Sequence, residues 1–317
     1  MSATSSGMGG TMLSLRHIHK RYGEVEAVSD FSLDIPRGAI YGFLGPNGAG
    51  KTTAIRSIMN IVPPDEGEIL FDGRPMDRGL LDRVGYLPEE RGLYRKMKCV
   101  EQLAFLAELK SIPRRKAVPL AEQWLERMEL GDWKDKKVDA LSKGMQQKVQ
   151  FAATFLFGPD LVILDEPFGG LDPLNIELLR DIIREENARG CTIIFSTHML
   201  AEAEQLCDNI CLIEGGRKIL DGSLDQIRDD FPLRSVKVVF TDGAAAPAAL
   251  PDVTQCAPDG DGWRLTLREG ADLDALLDRL RAHGSLSLFS ANRPSLQEIF
   301  LAAVRHQRAT AGEGVAS

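Results

Sequence analysis

The chain has 317 residues, a formal charge of −8 and 44% hydrophobic residues. That length points to two domains with ample material for a core. The acidic balance excludes a polyanion held by bulk charge, so no nucleic-acid partner is expected. The five cysteines, Cys99, Cys191, Cys207, Cys211 and Cys256, form no C-x-x-C pair. With no accompanying histidine pair, they read as buried thiols in a reducing compartment and not as a zinc site.

In chain order, Met1 to Thr11 is small and polar, without the apolar stretch of a secretory signal, and residues 1–10 read as a disordered tail. No apolar run approaches the roughly 18 to 20 residues that span a bilayer, so a membrane role would come through a partner. Met12 to Ile18 and Val25 to Ile35 alternate as strands of an antiparallel sheet. His17 and His19 fall on one face of the first and are expected to meet solvent, since no third metal ligand is near. Tyr22 carries a ring able to stack on a nucleobase.

Ala39 to Leu44 reads as a strand and Thr53 to Ile61 as a helix. Between them, Gly45-Pro46-Asn47-Gly48-Ala49-Gly50-Lys51-Thr52-Thr53 fits G-x-x-x-x-G-K-[ST]. Glycines let the backbone curl so that several N–H groups face one phosphate, and the helix start adds a positive dipole end. Lys51 offers a charge to the β- and γ-phosphates, and the Thr52 hydroxyl is placed to ligand Mg²⁺. Strands at Glu68 to Phe71 and Val84 to Leu87 follow, the second ending at Pro88-Glu89-Glu90-Arg91-Gly92-Leu93.

Residues 93–150 read as a helical insertion between strands of a parallel sheet. Helix runs from about Val100, is broken by Pro113, and resumes over about Val118 to Met128. Leu141-Ser142-Lys143-Gly144-Met145-Gln146-Gln147-Lys148 leads into a helix reaching about Phe157. A buried strand, Asp160 to Leu164, delivers Asp165 and Glu166 at its C-terminal end, where open parallel sheets bind ligands. Asp165 is placed to hold Mg²⁺ through water and Glu166 to orient or deprotonate an attacking water. A turn through Asp172-Pro173, a helix over Leu174 to Ala188 and a strand over Thr192 to Ser196 bring in Thr197-His198. A helix from Leu200 to Leu206 and short strands at Ile210 to Ile213 and Lys218 to Asp221 end this domain near Phe231.

Composition then shifts to Ala, Pro, Gly and Asp over Thr241 to Gly262. Strands at Ser235 to Phe240, Trp263 to Leu267 and Ser285 to Phe289, with helices at Leu273 to Ala282 and Ser295 to Val304, define a small α+β accessory domain at 232–304. Residues 305–317 read as a disordered tail.

From about Leu13 to Phe231 these motifs, in this order, resemble the ATP-binding cassette (ABC) ATPases. Tyr22 matches the A-loop, Gly45 to Thr53 Walker A, Pro88-Glu89 the Q-loop and Leu141 to Met145 the family signature. Val162 to Glu166 ends Walker B, Leu171-Asp172 is the D-loop and His198 the switch histidine. The resemblance implies an α/β fold: a P-loop NTPase with a RecA-like parallel core, an antiparallel β subdomain and an α-helical subdomain. It implies ATP and Mg²⁺ as cofactors, with Thr52, Glu89 and Asp165 around the metal, and Lys51, Glu166 and His198 as catalytic groups. It further implies two cassettes closing head to tail, so that Ser142 and Gly144 of one chain meet the γ-phosphate held by the other, bridged by Asp172. A homodimer is the expected pairing.

Four positions depart from the family pattern. Glu89 stands where Gln is usual, losing an amide donor and adding charge near phosphate. Lys143 and Met145 replace Gly and Gln in the signature; Lys143 either adds charge near the partner's γ-phosphate or points to solvent. Gly169 stands where serine is common. The stretches Pro88-Glu89-Glu90-Arg91-Gly92-Leu93 and Leu141-Ser142-Lys143-Gly144-Met145, with Arg293-Pro294-Ser295-Leu296-Gln297-Glu298-Ile299-Phe300, are similar to ATPase subunits of ABC-2 type exporters, such as sodium- or drug-export subunits. That branch implies a separate integral membrane permease and a place on the cytoplasmic face of the membrane. A soluble ABC ATPase acting on ribosomes or DNA is the alternative; it calls for tandem cassettes, a coiled-coil insertion or a basic arm, none of which the sequence contains. A P-loop kinase or GTPase lacks the signature, and no N-K-x-D is present.

Overall fold

The computed structural model describes residues 10–90, 92–231, 235–268, 270–292 and 294–313. It divides into two compact units, Met1–Gly222 and Ser223–Ser317. The residues expected as tails at 1–9 and 314–317, together with Arg91 and Arg293 of the motifs above, lie outside the described residues.

The first unit opens with β1 (Thr11–Tyr22) and β2 (Val25–Pro36), then β3 (Ile40–Leu44), α1 (Lys51–Ile58), β4 (Glu66–Phe71), β5 (Arg74–Pro75) and β6 (Val84–Leu87). The helical insertion supplies α2 (Cys99–Leu109), α3 (Arg114–Arg127) and α4 (Lys143–Phe155). Then come β7 (Leu161–Asp165), α5 (Pro173–Ala188), β8 (Thr192–Thr197), α6 (Leu200–Leu206), β9 (Asn209–Glu214) and β10 (Arg217–Ser223). An antiparallel sheet has the order β2-β1-β4-β5, and a second sheet has the order β10-β9-β3-β8-β7-β6. Their facing sides share one apolar core that includes Leu15, Phe31, Phe43, Ile55, Phe71 and Ile163.

The parallel strands β3, β8, β7 and β6 lie side by side, and their register aligns their ends. Leu44 stands opposite Thr197, Asp165 opposite Ser196, and Leu87 opposite Leu164. Their continuous apolar runs are buried, as strands covered on both faces require. The loops leaving these strands therefore emerge at one edge, which carries every nucleotide motif read from the parallel strands. β9 and β10 meet in a two-residue turn, Gly215-Gly216, with φ of 55° and 75°, the twist that a tight hairpin favours.

His17 is exposed beside Asp30 and His19 half-buried beside Glu26. His17 takes φ 48° at a register shift of the β1–β2 pair, so the two rings do not share one regular strand face. No metal-binding cluster occurs among the described residues.

Helix bounds differ from expectation at two prolines and a tail. Helix α3 starts at Arg114, not Val118: Pro113 is its N-cap, at φ −64° and ψ 142°, and starts the helix. Pro119 lies inside α3 and removes a single bond near its exposed first turn. At the other end of the chain, helix is observed through Glu313, where a disordered tail from Arg305 was expected. The run Arg305 to Thr310 is polar but holds no proline and no glycine to end a helix.

The second unit contains α7 (Leu224–Asp230), β11 (Ser235–Phe240), β12 (Val253–Asp259), β13 (Gly262–Leu267), α8 (Leu273–His283), β14 (Leu286–Asn292) and α9 (Leu296–Glu313). Its sheet order is β12-β13-β11-β14, with Val236, Val238, Leu265, Leu276 and Leu280 in its core. The division at Gly222 precedes the expected domain end near Phe231, because α7, capped by the Ser223 hydroxyl 3.2 Å from the Gln226 N–H, groups with the second unit. β12 is not apparent in the sequence. It is an edge strand, half exposed and carrying Pro258, so it lacks the alternation that marks a strand.

Four cysteines are buried and Cys256 is half-buried. Burial pushes the Cys99 thiol up to about 11 and Cys191 to about 12, and raises Cys207 and Cys211 as well. Ellman's reagent at pH 8 should therefore titrate about one thiol in the folded chain, and all five in guanidinium. Rapid reaction of two or more folded thiols would contradict this burial.

Candidate active site

The glycine-rich loop owes its path to close backbone packing. Gly45 has φ 158°, and a Cβ there would lie 2.1 Å from the Ile213 carbonyl oxygen. Gly50, at φ 104°, caps α1, and its Cβ would lie 2.4 Å from the Ala27 oxygen. The β9–β10 turn clamps the loop from outside: Gly216 N–H donates to the Ala49 carbonyl at 2.9 Å, and Ser29 N–H donates to the Gly216 carbonyl at 2.9 Å. Lys51, only 6% exposed, donates to the carbonyls of Gly45 at 2.6 Å and Pro46 at 3.2 Å. Burial lowers its pKa, while Glu166, Asp165 and Glu89 pull it back up.

Asp165 ends β7 and is 1% exposed. The Thr52 hydroxyl donates to its Oδ2 at 3.3 Å. Its Oδ1 is buried without a hydrogen bond among the described residues. Burial raises the pKa of this carboxyl, and Glu89 and Glu166 push it the same way. A buried carboxylate oxygen with a spare lone pair beside a threonine hydroxyl is a hard-oxygen donor set that suits Mg²⁺.

Glu166 takes φ 50°, a costly conformation for a residue with a side chain. Both carboxylate oxygens are held. Oε1 accepts from the His198 backbone N–H at 3.0 Å and lies 2.8 Å from His198 Nδ1, so the ring proton belongs on that nitrogen. Oε2 accepts from the Thr197 hydroxyl at 3.2 Å.

These groups surround a cleft of about 630 Å³ lined by residues 47–53 of the loop and by Glu89, Asp165, Glu166 and His198. Three further residues line it that the sequence reading does not single out as site residues: Ala27, Gln147 and Gly169. Gln147 donates to the Pro167 carbonyl at 3.1 Å and so ties α4 to the turn after Glu166. Its only sequence signal is helical phase, which separates it from Gln146 next to it. Gly169 is legible only as the position where serine is common, and Ala27 bears no chemical signal.

Other expected site residues stand outside this lining. Gly45 and Pro46 form the base of the loop through their bonds to Lys51. Tyr22 is 47% exposed, with Lys20 Nζ 6.0 Å from its ring centre. Ser142 caps α4 by accepting from the Met145 N–H at 3.2 Å, followed by exposed Lys143 and half-buried Gly144. A Cβ on Gly144 would lie 3.4 Å from the Leu171 side chain, so the signature and the D-loop are neighbours. Asp172 caps α5: it accepts from the Asn175 N–H at 3.0 Å and from its side-chain amide at 2.7 Å. The nearly buried Lys148 of α4 donates to the Asn175 amide oxygen at 3.0 Å.

A phosphate-cradling loop, a lysine, a hydroxyl–carboxylate pair and a braced glutamate at one sheet edge define a P-loop ATPase site. Residues 28–169 match the family described as ABC transporter, and residues 222–304 match the family described as ATP-binding protein DrrA1-3-like, C-terminal domain. An ABC transporter ATP-binding protein of Bacillus subtilis is 39% identical over 290 residues, covering 92% of this chain and 97% of that one. The daunorubicin resistance ATP-binding protein DrrA3 of Streptomyces coeruleorubidus is 32% identical over 304 residues, covering 93% and 96%. A solved ATP-binding subunit of an ABC transporter superposes with a TM-score of 0.64 at 34% identity, covering 70% of this chain and 93% of that one. The chain belongs to the ATP-binding proteins of ABC transporters, and it is an ATP hydrolase of that family. This bears out the transporter reading over the ribosomal or DNA-directed alternative.

Because a Cβ at Gly50 meets backbone and not a movable side chain, Gly50→Ala should weaken ATP binding by at least about tenfold while leaving a folded chain. Titration with a fluorescent ATP analogue reads this directly; an unchanged affinity would mean that the loop can relax around the added methyl.

Proposed function

We propose that this chain is the motor subunit of an ABC-2 type exporter, working as a homodimer on the cytoplasmic face of the membrane beneath a separate permease. The observation that carries this reading is the Glu166 carboxylate, held on both oxygens by Thr197 and His198 at the mouth of the loop cleft. The names of two relatives support export: daunorubicin resistance and, at 34% identity, lantibiotic transport in Streptococcus pyogenes. No described helix is long and apolar enough to cross a membrane, which is consistent with a permease carried on another chain.

In this reading the amides of residues 47–53 receive the phosphates, and Lys51 leaves its loop carbonyls to meet the β- and γ-phosphates. Tyr22 stacks on the base. Thr52 and Asp165 would hold Mg²⁺, with Glu89 completing the acidic side. When bound, the metal neutralises charge on the phosphates. Glu166 accepts a proton from the attacking water, and His198 fixes the carboxylate and faces the γ-phosphate. The groups outside the cleft lining then find a use: Ser142, Lys143 and Gly144 of one chain cover the ATP of the other, and Asp172 bridges the pair. The exposure of Ser142, Lys143 and Asp172, and the position of all four residues at capped helix starts, support that role. ATP binding closes the dimer and hydrolysis reopens it, which is the stroke delivered to the permease.

The test is Glu166→Gln. It keeps the fold and the acceptor oxygen but removes the base, so ATP turnover should fall by at least about a hundredfold. The variant should also accumulate as an ATP-bound dimer by size-exclusion chromatography. Wild-type turnover would reject Glu166 as the base. A second prediction concerns the permease, whose docking site is placed at residues 89–99 and the helical insertion. Cysteine crosslinks from this region to a co-expressed permease should form, and crosslinks confined to other surfaces would contradict the placement.

A further inference from the structure

Behind Glu166 lies a second glutamate that the mechanism above leaves without a task. Glu202, on α6, is 9% exposed, and its Oε2 lies 3.5 Å from the Thr197 hydroxyl oxygen. Thr197 is wholly buried. Its hydroxyl thus has three polar neighbours: Glu166 Oε2 at 3.2 Å, Glu202 Oε2 at 3.5 Å, and the Met199 N–H, which donates to it at 3.0 Å.

A hydroxyl has one proton to give and two lone pairs to receive. If both carboxyls were ionised, that proton would serve one of them, and the other would face an oxygen lone pair in a buried site. The arrangement closes if Glu202 carries a proton and donates it to Thr197. The hydroxyl then accepts from Glu202 and Met199, and its own proton is committed to Glu166. Burial holds the Glu202 carboxyl above the usual range. Arg180, the Thr197 hydroxyl and His198 oppose this, and Glu166 reinforces it. Arg180 spends a close hydrogen bond, 2.6 Å, on Glu177.

We infer that Glu202 is a positioning residue for hydrolysis, fixing the direction of the Thr197 hydroxyl so that it locks Oε2 of Glu166. With Oε1 engaged twice by His198 and Oε2 once by Thr197, the carboxylate cannot rotate, and the remaining lone pair of Oε2 has one direction in which to meet water. This rests on Glu166 being the base.

The test is a double-mutant cycle on the full chain, reading kcat and KM for MgATP hydrolysis and the affinity for a fluorescent ATP analogue. Thr197→Val should lower kcat by about tenfold or more with KM and analogue affinity within about twofold, since only positioning is lost. Glu202→Leu should lower kcat by about five- to tenfold. Glu202→Gln, whose amide N–H donates to the same hydroxyl, should recover activity to within about threefold of wild type. The pair Thr197→Val/Glu202→Leu should be no slower than Thr197→Val alone, because both act through one hydrogen bond. Multiplicative losses, or a Gln variant as slow as Leu, would overturn the inference. Should Glu202→Leu fail to fold, Thr197→Ser against Thr197→Val decides the point: serine should restore the rate, and equal losses would overturn it. If instead Glu166→Gln hydrolyses ATP normally while the cycle remains coupled, the fault lies with the base assignment and not with the Glu202–Thr197 link.

Discussion

Lys51 and Asp165 are both withdrawn from water within one pocket, and burial works against the charged form of each. Desolvation drives the lysine toward its neutral form and the aspartate toward its protonated form. Glu166 first, then Asp165 and Glu89, draw the lysine back toward its charged form, while hydrogen bonds from Lys51 to Gly45 and Pro46 and from Thr52 to Asp165 hold each side chain in place. The surrounding backbone serves that arrangement. Glycines at 45 and 50 let strand and loop approach within a contact no side chain tolerates, and the Gly215-Gly216 turn closes over the outside. Charged groups in this setting gain more from a polyanion with its counter-ion than exposed ones would, because little water screens them.

The second constraint is register. Four parallel strands end level with one another, so loops far apart in sequence open at one edge. Glu166 sits at that edge in a conformation its residue type resists, and the bonds from Thr197 and His198 offset the strain. Glu166 and its supports thus come from neighbouring strands, β7 and β8, and a shift of one register position would separate them.

Most of this frame was legible in the sequence because its signals are local. The buried strands are unbroken apolar runs, and the loop and its flanks announce themselves by glycine spacing and a lysine. Residues that act through three-dimensional contact were not legible. Gln147 reaches the Pro167 carbonyl from another element, and Ala27, whose type carries no chemical signal, lines the cleft from β2. The β12 edge strand hides because half of it faces solvent, so no apolar alternation records it. Pro113 misled in the other direction: as a breaker it suggested a late helix, whereas its fixed φ suits the position before a helix start. The end of α9 shows that polarity in a tail says little about helicity when good helix formers continue.

One contact away from the cleft has a wider reach. The buried ammonium of Lys148 donates to the Asn175 amide oxygen, the Asn175 amide nitrogen and backbone N–H donate to the two oxygens of Asp172, and Gly144 lies against Leu171. The start of α4 and the start of α5 are thereby riveted into a single jaw. A molecule that presses on the Ser142 end cannot tilt it without carrying Asp172 along. Whatever grips this face receives one coordinated handhold, and a displacement at either end is transmitted to the other without passing through the nucleotide.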